Sequence, residues 1–231
     1  MNPNKSRFDS LCDSTVSPLH VEKIVALRER QSTLFLTERI ANEAGQRVEF
    51  LWGHHPTFGG SLLEPGTRIF VPPCNVIVPD ILPPDARLIP NQHNQWPIVQ
   101  GIATEQIDLS IVPGYDSGSH DFVRLEILAA GWFTLVNVRR RLGFALRFDE
   151  ELFRVLGYWQ LFAGGPNYPW YKQHFLAALE PASDLPSLSE SVASGSAIAL
   201  ESGGTIQTTI EATAFTDRSE VHSVGPGGII S

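Results

Sequence analysis

The chain has 231 residues, 42% of them hydrophobic, so it is long enough to bury one substantial core. Its net charge of -8 and its scattered basic residues exclude the electropositive stripe that binds a phosphate backbone, and we expect no nucleic-acid partner. The longest uncharged apolar stretch, residues 127–138, is shorter than the roughly 20 residues that cross a bilayer, so no membrane partner is expected either.

The cysteines and the first residues indicate the compartment. Cys12 and Cys74 are far apart and lack CxxC spacing, which indicates neither a disulfide framework nor a zinc knuckle. The first seven residues lead into mixed polar sequence rather than the apolar segment of a secretory signal. We therefore predict a cytoplasmic protein. The domain organisation predicted is a poorly ordered segment at 1–20, one β-sandwich domain at 21–216 and a flexible tail at 217–231.

Apolar and polar residues alternate along most of the chain. Before the adjacent histidines, Val48, Phe50 and Trp52 share one face, with Arg47 and Glu49 on the other. The same period predicts strands at 21–29, 33–40, 107–112, 122–128, 132–138, 142–148 and 205–215. Since a sheet with one apolar face must cover it with another layer, the fold class predicted is an all-β antiparallel sandwich.

Three segments depart from this alternation. Residues 149–157 have an acidic first turn, an apolar stripe and a final glycine, which predict one short helix. The proline-rich section 71–97 predicts a long, stiff excursion over one end of the sandwich, of the kind that walls a binding cleft. Three consecutive arginines at 139–141 are interpreted as a solvated strand end.

The most informative chemical feature is the pair His54 and His55 between Gly53 and Pro56, where the strand ends. An imidazole titrates near neutrality, so one ring can give and take protons without a cofactor. Adjacent strand residues point to opposite faces, and both rings can face one site only if the chain bends at the glycine or the proline. One of the two histidines is expected to be structural.

A metal site is the alternative use of these histidines. His54, His55 and Glu64, with His93 or His120, have the right ligand chemistry. The histidines are contiguous, however, whereas a cupin-type metal site needs two histidines that alternate on one strand. We therefore predict no metal, and a metal-dependent cupin-type enzyme is the weaker alternative.

A second reactive group is predicted at Glu180, which ends the apolar run 175–179 and precedes Pro181. Apolar neighbours raise the proton affinity of a carboxylate, as a general base requires, although an edge-strand glutamate in water fits the same pattern. Just upstream, aromatic residues that include Trp159 and Trp170 are concentrated. Such rings stack on the apolar faces of sugars, but they also fill cores.

These segments resemble a known family. The run Trp-Gly-His-His-Pro-Thr-Phe-Gly at 52–59 is similar to the histidine motif of the aldose 1-epimerase, or galactose mutarotase-like, family, and it aligns the catalytic acid of that family with His55. The run Leu-Glu-Pro at 179–181 is similar to the motif that holds the catalytic base, which would be Glu180. The resemblance covers about residues 21–216.

The resemblance implies a galactose mutarotase-like supersandwich that acts on a hexose-like aldose with neither metal nor organic cofactor. Glu180 would take the proton of the anomeric hydroxyl while His55 protonates the ring oxygen. His54, Trp159 and Trp170 are the predicted substrate contacts. The family has a further N-terminal region with a sugar-gripping arginine and histidine that nothing before His55 matches. We therefore expect an N-terminally shortened sandwich, completed by a homodimer or another partner, and a non-catalytic carbohydrate-binding protein of this fold is the alternative.

Overall fold

The computed structural model describes residues 5–13 and 16–231. In this part of the chain the strands and the single helix, in chain order, are β1 (Lys5–Asp13), β2 (Leu19–Arg28), β3 (Thr33–Asn42), β4 (Val48–Phe50), β5 (Thr57–Phe58), β6 (Arg68–Phe70), β7 (Asn75–Ile77), β8 (His93–Gln95), β9 (Ile98–Gln100), β10 (Gln106–Asp108), β11 (Ser119–Glu126), β12 (Trp132–Asn137), β13 (Leu142–Arg147), β14 (Val155–Phe162), β15 (Phe175–Ala182), α1 (Leu188–Ser194), β16 (Ile198–Leu200), β17 (Thr205–Thr216), β18 (Val224–Gly225) and β19 (Ile229–Ile230).

Two antiparallel sheets form the body of the protein. Sheet 1 has the strand order β1-β2-β3-β17-β13-β12-β6, and sheet 2 has the order β5-β15-β14-β11-β7-β8. Side chains of both sheets meet in one hydrophobic cluster, which includes Ile40, Phe133 and Ile210 from sheet 1 and Val123 and Leu156 from sheet 2. This arrangement confirms the predicted antiparallel β-sandwich.

Most predicted strands are present, but the predicted helix at 149–157 is wrong. Asp149 instead caps a turn, because its side chain accepts hydrogen bonds from the backbone of Glu151 and Leu152 at 3.0 and 3.3 Å. The chain then enters β14, where Gly157 is a strand residue between β11 and β15 and not a helix end. Of the apolar residues that suggested a helical stripe, Val155 and Leu156 lie in this central strand.

The helix that does form, α1, begins after Ser187. The Ser187 hydroxyl accepts a hydrogen bond from the backbone N–H of Glu190, and the Glu190 carboxylate accepts one from the backbone N–H of Ser187. This capping box satisfies two backbone donors that a helix start otherwise leaves unpaired. Gly195 ends the helix with φ 75°, the left-handed conformation that favours glycine.

Strand pairing and side-chain packing involve residues of both terminal segments, 1–20 and 217–231. Residues 1–4 and 14–15 lie outside the described residues, but β1 pairs with β2 along its whole length. In the predicted tail 217–231, Val221 and Val224 are buried against Trp132 and Val136. β12 is buried on both faces, because the tail covers the face that points away from the sandwich.

The proline-rich section and the arginine triplet are also held by specific contacts. Two short strands within 71–97, β7 and β8, extend the edge of sheet 2 next to β11. Arg139 and Arg140 contact the buried Glu64 carboxylate at 2.6 Å, and Arg141 contacts Asp217 at 2.5 Å. The triplet therefore forms ion pairs within the chain.

The one helix in the described residues, α1, is not long and apolar enough to span a bilayer.

Candidate functional site

Backbone register places His55 directly opposite Glu180. The chain leaves β4 and runs antiparallel to β15, and two backbone pairings flank the site. These pairings are Gly53 with Ala182 and Thr57 with Ala178. The residues halfway between them are His55 and Glu180, and opposite residues of an antiparallel pair carry their side chains on the same face.

The two side chains meet. His55 Nε2 lies 3.0 Å from Glu180 Oε1, and His55 Nδ1 lies 2.9 Å from the Thr57 hydroxyl, which fixes the ring between a carboxylate and a hydroxyl. The imidazole is 60% exposed and the carboxylate 16%. Burial raises the pKa of Glu180, and the nearby His55 opposes that rise. A carboxylate whose burial increases its proton affinity thus lies within hydrogen-bonding distance of an imidazole.

The His55 and Glu180 side chains line a cleft of about 420 Å³ on the outer face of sheet 2, called the first cleft. Its lining residues are His55, Thr57, Phe122, Trp159, Trp170, Leu176 and Glu180. The rings of Trp159 and Trp170 are 5.3 Å apart, and the Trp159 ring lies 6.2 Å from that of His55. The structure therefore brings together four of the five predicted site residues in one mainly apolar cleft.

His120 holds Trp159 in place and was not among the predicted site residues. Trp159 Nε1 donates a hydrogen bond of 2.8 Å to His120 Nε2, which requires an unprotonated nitrogen there. Burial lowers the pKa of His120, which favours this neutral form. The neutral ring can thus fix one wall of the first cleft without adding charge to it.

His54 lies outside the first cleft, which corrects its prediction as a substrate contact. Its Nε2 lies 2.9 Å from Glu38 Oε2, and Lys23 Nζ lies 2.6 Å from Glu38 Oε1. Glu38 is 1% exposed; burial raises its pKa, but the contacts with His54 and Lys23 outweigh that effect and hold the pKa below its ordinary value. Because adjacent residues of an extended chain point to opposite faces, His54 anchors this segment to sheet 1 while His55 faces outward.

The side chains considered for a metal site are distributed over different contacts. Glu64 is engaged by Arg139 and Arg140, which with Asn137 hold the pKa of Glu64 well below its ordinary value. His120 accepts from Trp159, and His93 lies in β8 at the edge of sheet 2. Across residues 5–13 and 16–231, no three His, Cys, Asp or Glu side chains are arranged to hold a metal ion.

The sequence matches no protein-family model and no curated protein, but the structure resembles several solved ones. A proposed aldose 1-epimerase from Klebsiella pneumoniae aligns with a TM-score of 0.70 at 17% identity, over 94% of this chain and 52% of that one. One from Escherichia coli K12 aligns with a TM-score of 0.63 at 16% identity, over 94% and 67%. A galactose mutarotase-like protein from Lactobacillus casei aligns with a TM-score of 0.57 at 16% identity, over 93% and 71%.

These similarities are low in sequence but cover nearly the whole of this chain. The chain spans about half the length of the Klebsiella protein, and all three identities are low. Nearly the whole chain nevertheless aligns in each case, with the two-sheet antiparallel architecture described above. The chain therefore has the galactose mutarotase-like fold that its histidine and glutamate motifs predicted.

Proposed function

We propose that this protein interconverts the anomers of an aldose by general acid and base catalysis, with His55 as acid and Glu180 as base. The observation that supports it most is the 3.0 Å contact between the two groups at an apolar, tryptophan-lined cleft. Each proton transfer of this kind typically contributes about 10²- to 10⁴-fold to a rate.

The reaction needs two simultaneous proton movements. The Glu180 carboxylate takes the proton of the anomeric hydroxyl, whose oxygen becomes the carbonyl oxygen of the open aldehyde. The bond between the anomeric carbon and the ring oxygen breaks, and the His55 imidazolium protonates that oxygen. After the aldehyde carbon rotates, both transfers run in reverse, and the ring closes as either anomer.

The closeness of the two groups fits this chemistry. The ring oxygen and the anomeric hydroxyl are bonded to the same carbon, so the acid and the base that serve them must be near neighbours. Opposite positions on paired strands provide that spacing without any long loop. A sugar bound here would insert its two oxygens between the imidazole and the carboxylate.

The tryptophans favour a pyranose as the ligand. Trp159 and Trp170 offer flat apolar surfaces beside the reacting pair, which suit the C–H faces of a sugar ring. A hexose-like aldose is therefore the proposed substrate. A cytoplasmic location and a homodimer or other completing partner remain proposals that rest on the cysteine pattern and on the family resemblance.

Exchange NMR of several aldoses tests this function against the alternative of a carbohydrate-binding protein without turnover. We expect the wild-type protein to accelerate the exchange between the α and β anomers of at least one aldose. Binding of sugars in a calorimetric titration without any acceleration would instead favour the binding protein.

The proposed base also sets the expected pH dependence. Glu180 acts as a carboxylate, so kcat/KM should fall as the pH drops through its pKa in the free protein. Because burial raises the pKa of Glu180, this fall should begin above the ordinary glutamate value of 4.5. A profile of kcat/KM that stays flat down to that value would contradict the assignment of Glu180 as the base.

A further inference from the structure

A second cleft, of about 400 Å³, lies on the same outer face of sheet 2 as the first. Its polar lining includes Arg124 and Glu126 from β11, Arg154 before β14, and Asp184 and Ser196 near α1. Val155 is among the apolar residues of its wall. The acid and base chemistry proposed above uses none of these side chains.

The strand register joins the two clefts. Arg124 of β11 is paired with Gly157 of β14, and Gly157 is paired with Glu180 of β15. These three residues form one row across the sheet with their side-chain positions on the same face. Phe122, which lines the first cleft, precedes Arg124 by two residues, about 7 Å along the strand. Arg124, which lines the second cleft, thus lies two strands away from Glu180 in the same sheet.

A low apolar ridge separates the clefts. A Cβ atom at Gly157 would lie 3.4 Å from Phe122, Leu185 and Glu180. The Phe122 and Leu185 side chains therefore pack around Gly157 and form the apolar boundary between the two clefts. A ligand longer than one sugar ring would cross the sheet at this point.

The charges of the second cleft are paired. Arg124 Nη2 lies 2.6 Å from Glu126 Oε1 and 3.6 Å from Asp184 Oδ1. Arg154 donates to the backbone carbonyl of Ser196. Burial raises the pKa of Asp184, but hydrogen bonds from Ser196, the Leu185 N–H and Ser191 hold that pKa below its ordinary value, so it is a carboxylate at neutral pH.

Paired charges decide which ligand chemistry fits. The lining carboxylates, which also include Glu150, outnumber the two arginines, so a phosphate or carboxylate would meet no excess positive charge. Each guanidinium has five N–H donors and each carboxylate several acceptor positions, more than the contacts above use. Fixed donors and acceptors beside apolar walls match a neutral group rich in hydroxyls.

We propose that the second cleft binds a further sugar unit, so that the substrate is an aldose at the reducing end of an oligosaccharide. Such an aldose keeps its anomeric hydroxyl free for Glu180 and carries the next unit through another hydroxyl. This inference rests on the proposed function, because it assumes that the reacting ring lies at His55 and Glu180.

The test compares glucose with disaccharides whose reducing unit is glucose, namely maltose, cellobiose and lactose. The kcat/KM measured by exchange NMR should be about tenfold or more higher for at least one disaccharide than for glucose. In Arg154→Gln, the ratio of disaccharide to glucose kcat/KM should fall about tenfold, the usual cost of losing a hydrogen bond to a charged group. Arg47→Gln, which changes an exposed arginine that precedes β4 and lines neither cleft, is the matched control and should keep the wild-type ratio.

Two results would overturn the inference: equal kcat/KM for glucose and every disaccharide, or an unchanged ratio in Arg154→Gln. If no sugar shows accelerated exchange, the proposed function fails, and calorimetric titration then decides the second cleft by itself. Tighter binding of a disaccharide than of glucose, weakened in Arg154→Gln and retained in Arg47→Gln, would support a sugar site there. Equal binding of glucose and the disaccharides would overturn it.

Discussion

Glu180→Gln is expected to lower the kcat/KM for anomer interconversion by about 10²- to 10⁴-fold, the usual contribution of a positioned general base. Glutamine keeps the shape of the side chain but cannot accept the proton of the anomeric hydroxyl. The loss should appear mainly in kcat, because the aromatic walls that would bind the sugar are unchanged. Exchange NMR at matched protein concentration measures it.

A glutamate outside the site provides the control for this change. Glu201 is 78% exposed, so Glu201→Gln makes the same chemical substitution away from the first cleft, and its rate should equal that of the wild type. Circular dichroism should show the same strand content in both variants. A wild-type rate in Glu180→Gln would remove Glu180 from the mechanism.

Glu38→Gln is expected to lower the free energy of unfolding by about 2 kcal/mol. Removing one partner of a buried ion pair costs about 3–5 kcal/mol, because the charge left behind has lost its partner. The expected loss of unfolding free energy is smaller here, because Lys23 is 47% exposed and its ammonium can turn to water. Urea denaturation at neutral pH measures the difference, with Glu201→Gln as the control.

Lowering the pH should diminish the difference in unfolding free energy between the wild type and Glu38→Gln. The pKa of Glu38 in the folded protein lies below its ordinary value of 4.5, so its stabilisation is complete above that value. It is lost as the pH falls through the lower folded-state pKa, where the carboxylate of the wild type becomes protonated. Equal unfolding free energies of wild type and variant at neutral pH would show that the Glu38 contacts contribute nothing.

The sandwich and the pairing of His55 with Glu180 in space could be predicted from the sequence because both depend on local patterns. Alternation along single strands indicates a half-buried sheet, and the two short motifs indicated His55 and Glu180. The role of Glu38 was missed, although a signal existed. Glu38 occupies the same alternating positions as Leu36 and Ile40 in β3, and His54 follows Phe50 and Trp52 in the same way. A charged residue in an apolar series is a sign of a buried ion pair.

The errors arose where distant parts of the chain decide the local structure. Residues 149–157 have a helical pattern, yet the pairing of β14 with both β11 and β15 outweighs it. The packing of Val221 and Val224 on the outer face of β12 also depends on a distant strand, and the sequence near 217–231 does not indicate it. The row from Arg124 to Glu180 depends on the register of three strands, which no single segment encodes.

The most direct test of the central claim, that His55 and Glu180 act together on one bound sugar, is a double-mutant comparison of anomer exchange rates. Exchange NMR on one aldose would compare the wild type with His55→Gln, Glu180→Gln and the double variant. We predict that each single change lowers the rate by about 100-fold or more, and that the double variant is no slower than the slower single one. Single variants that exchange anomers at the wild-type rate, or two losses that simply multiply, would contradict it.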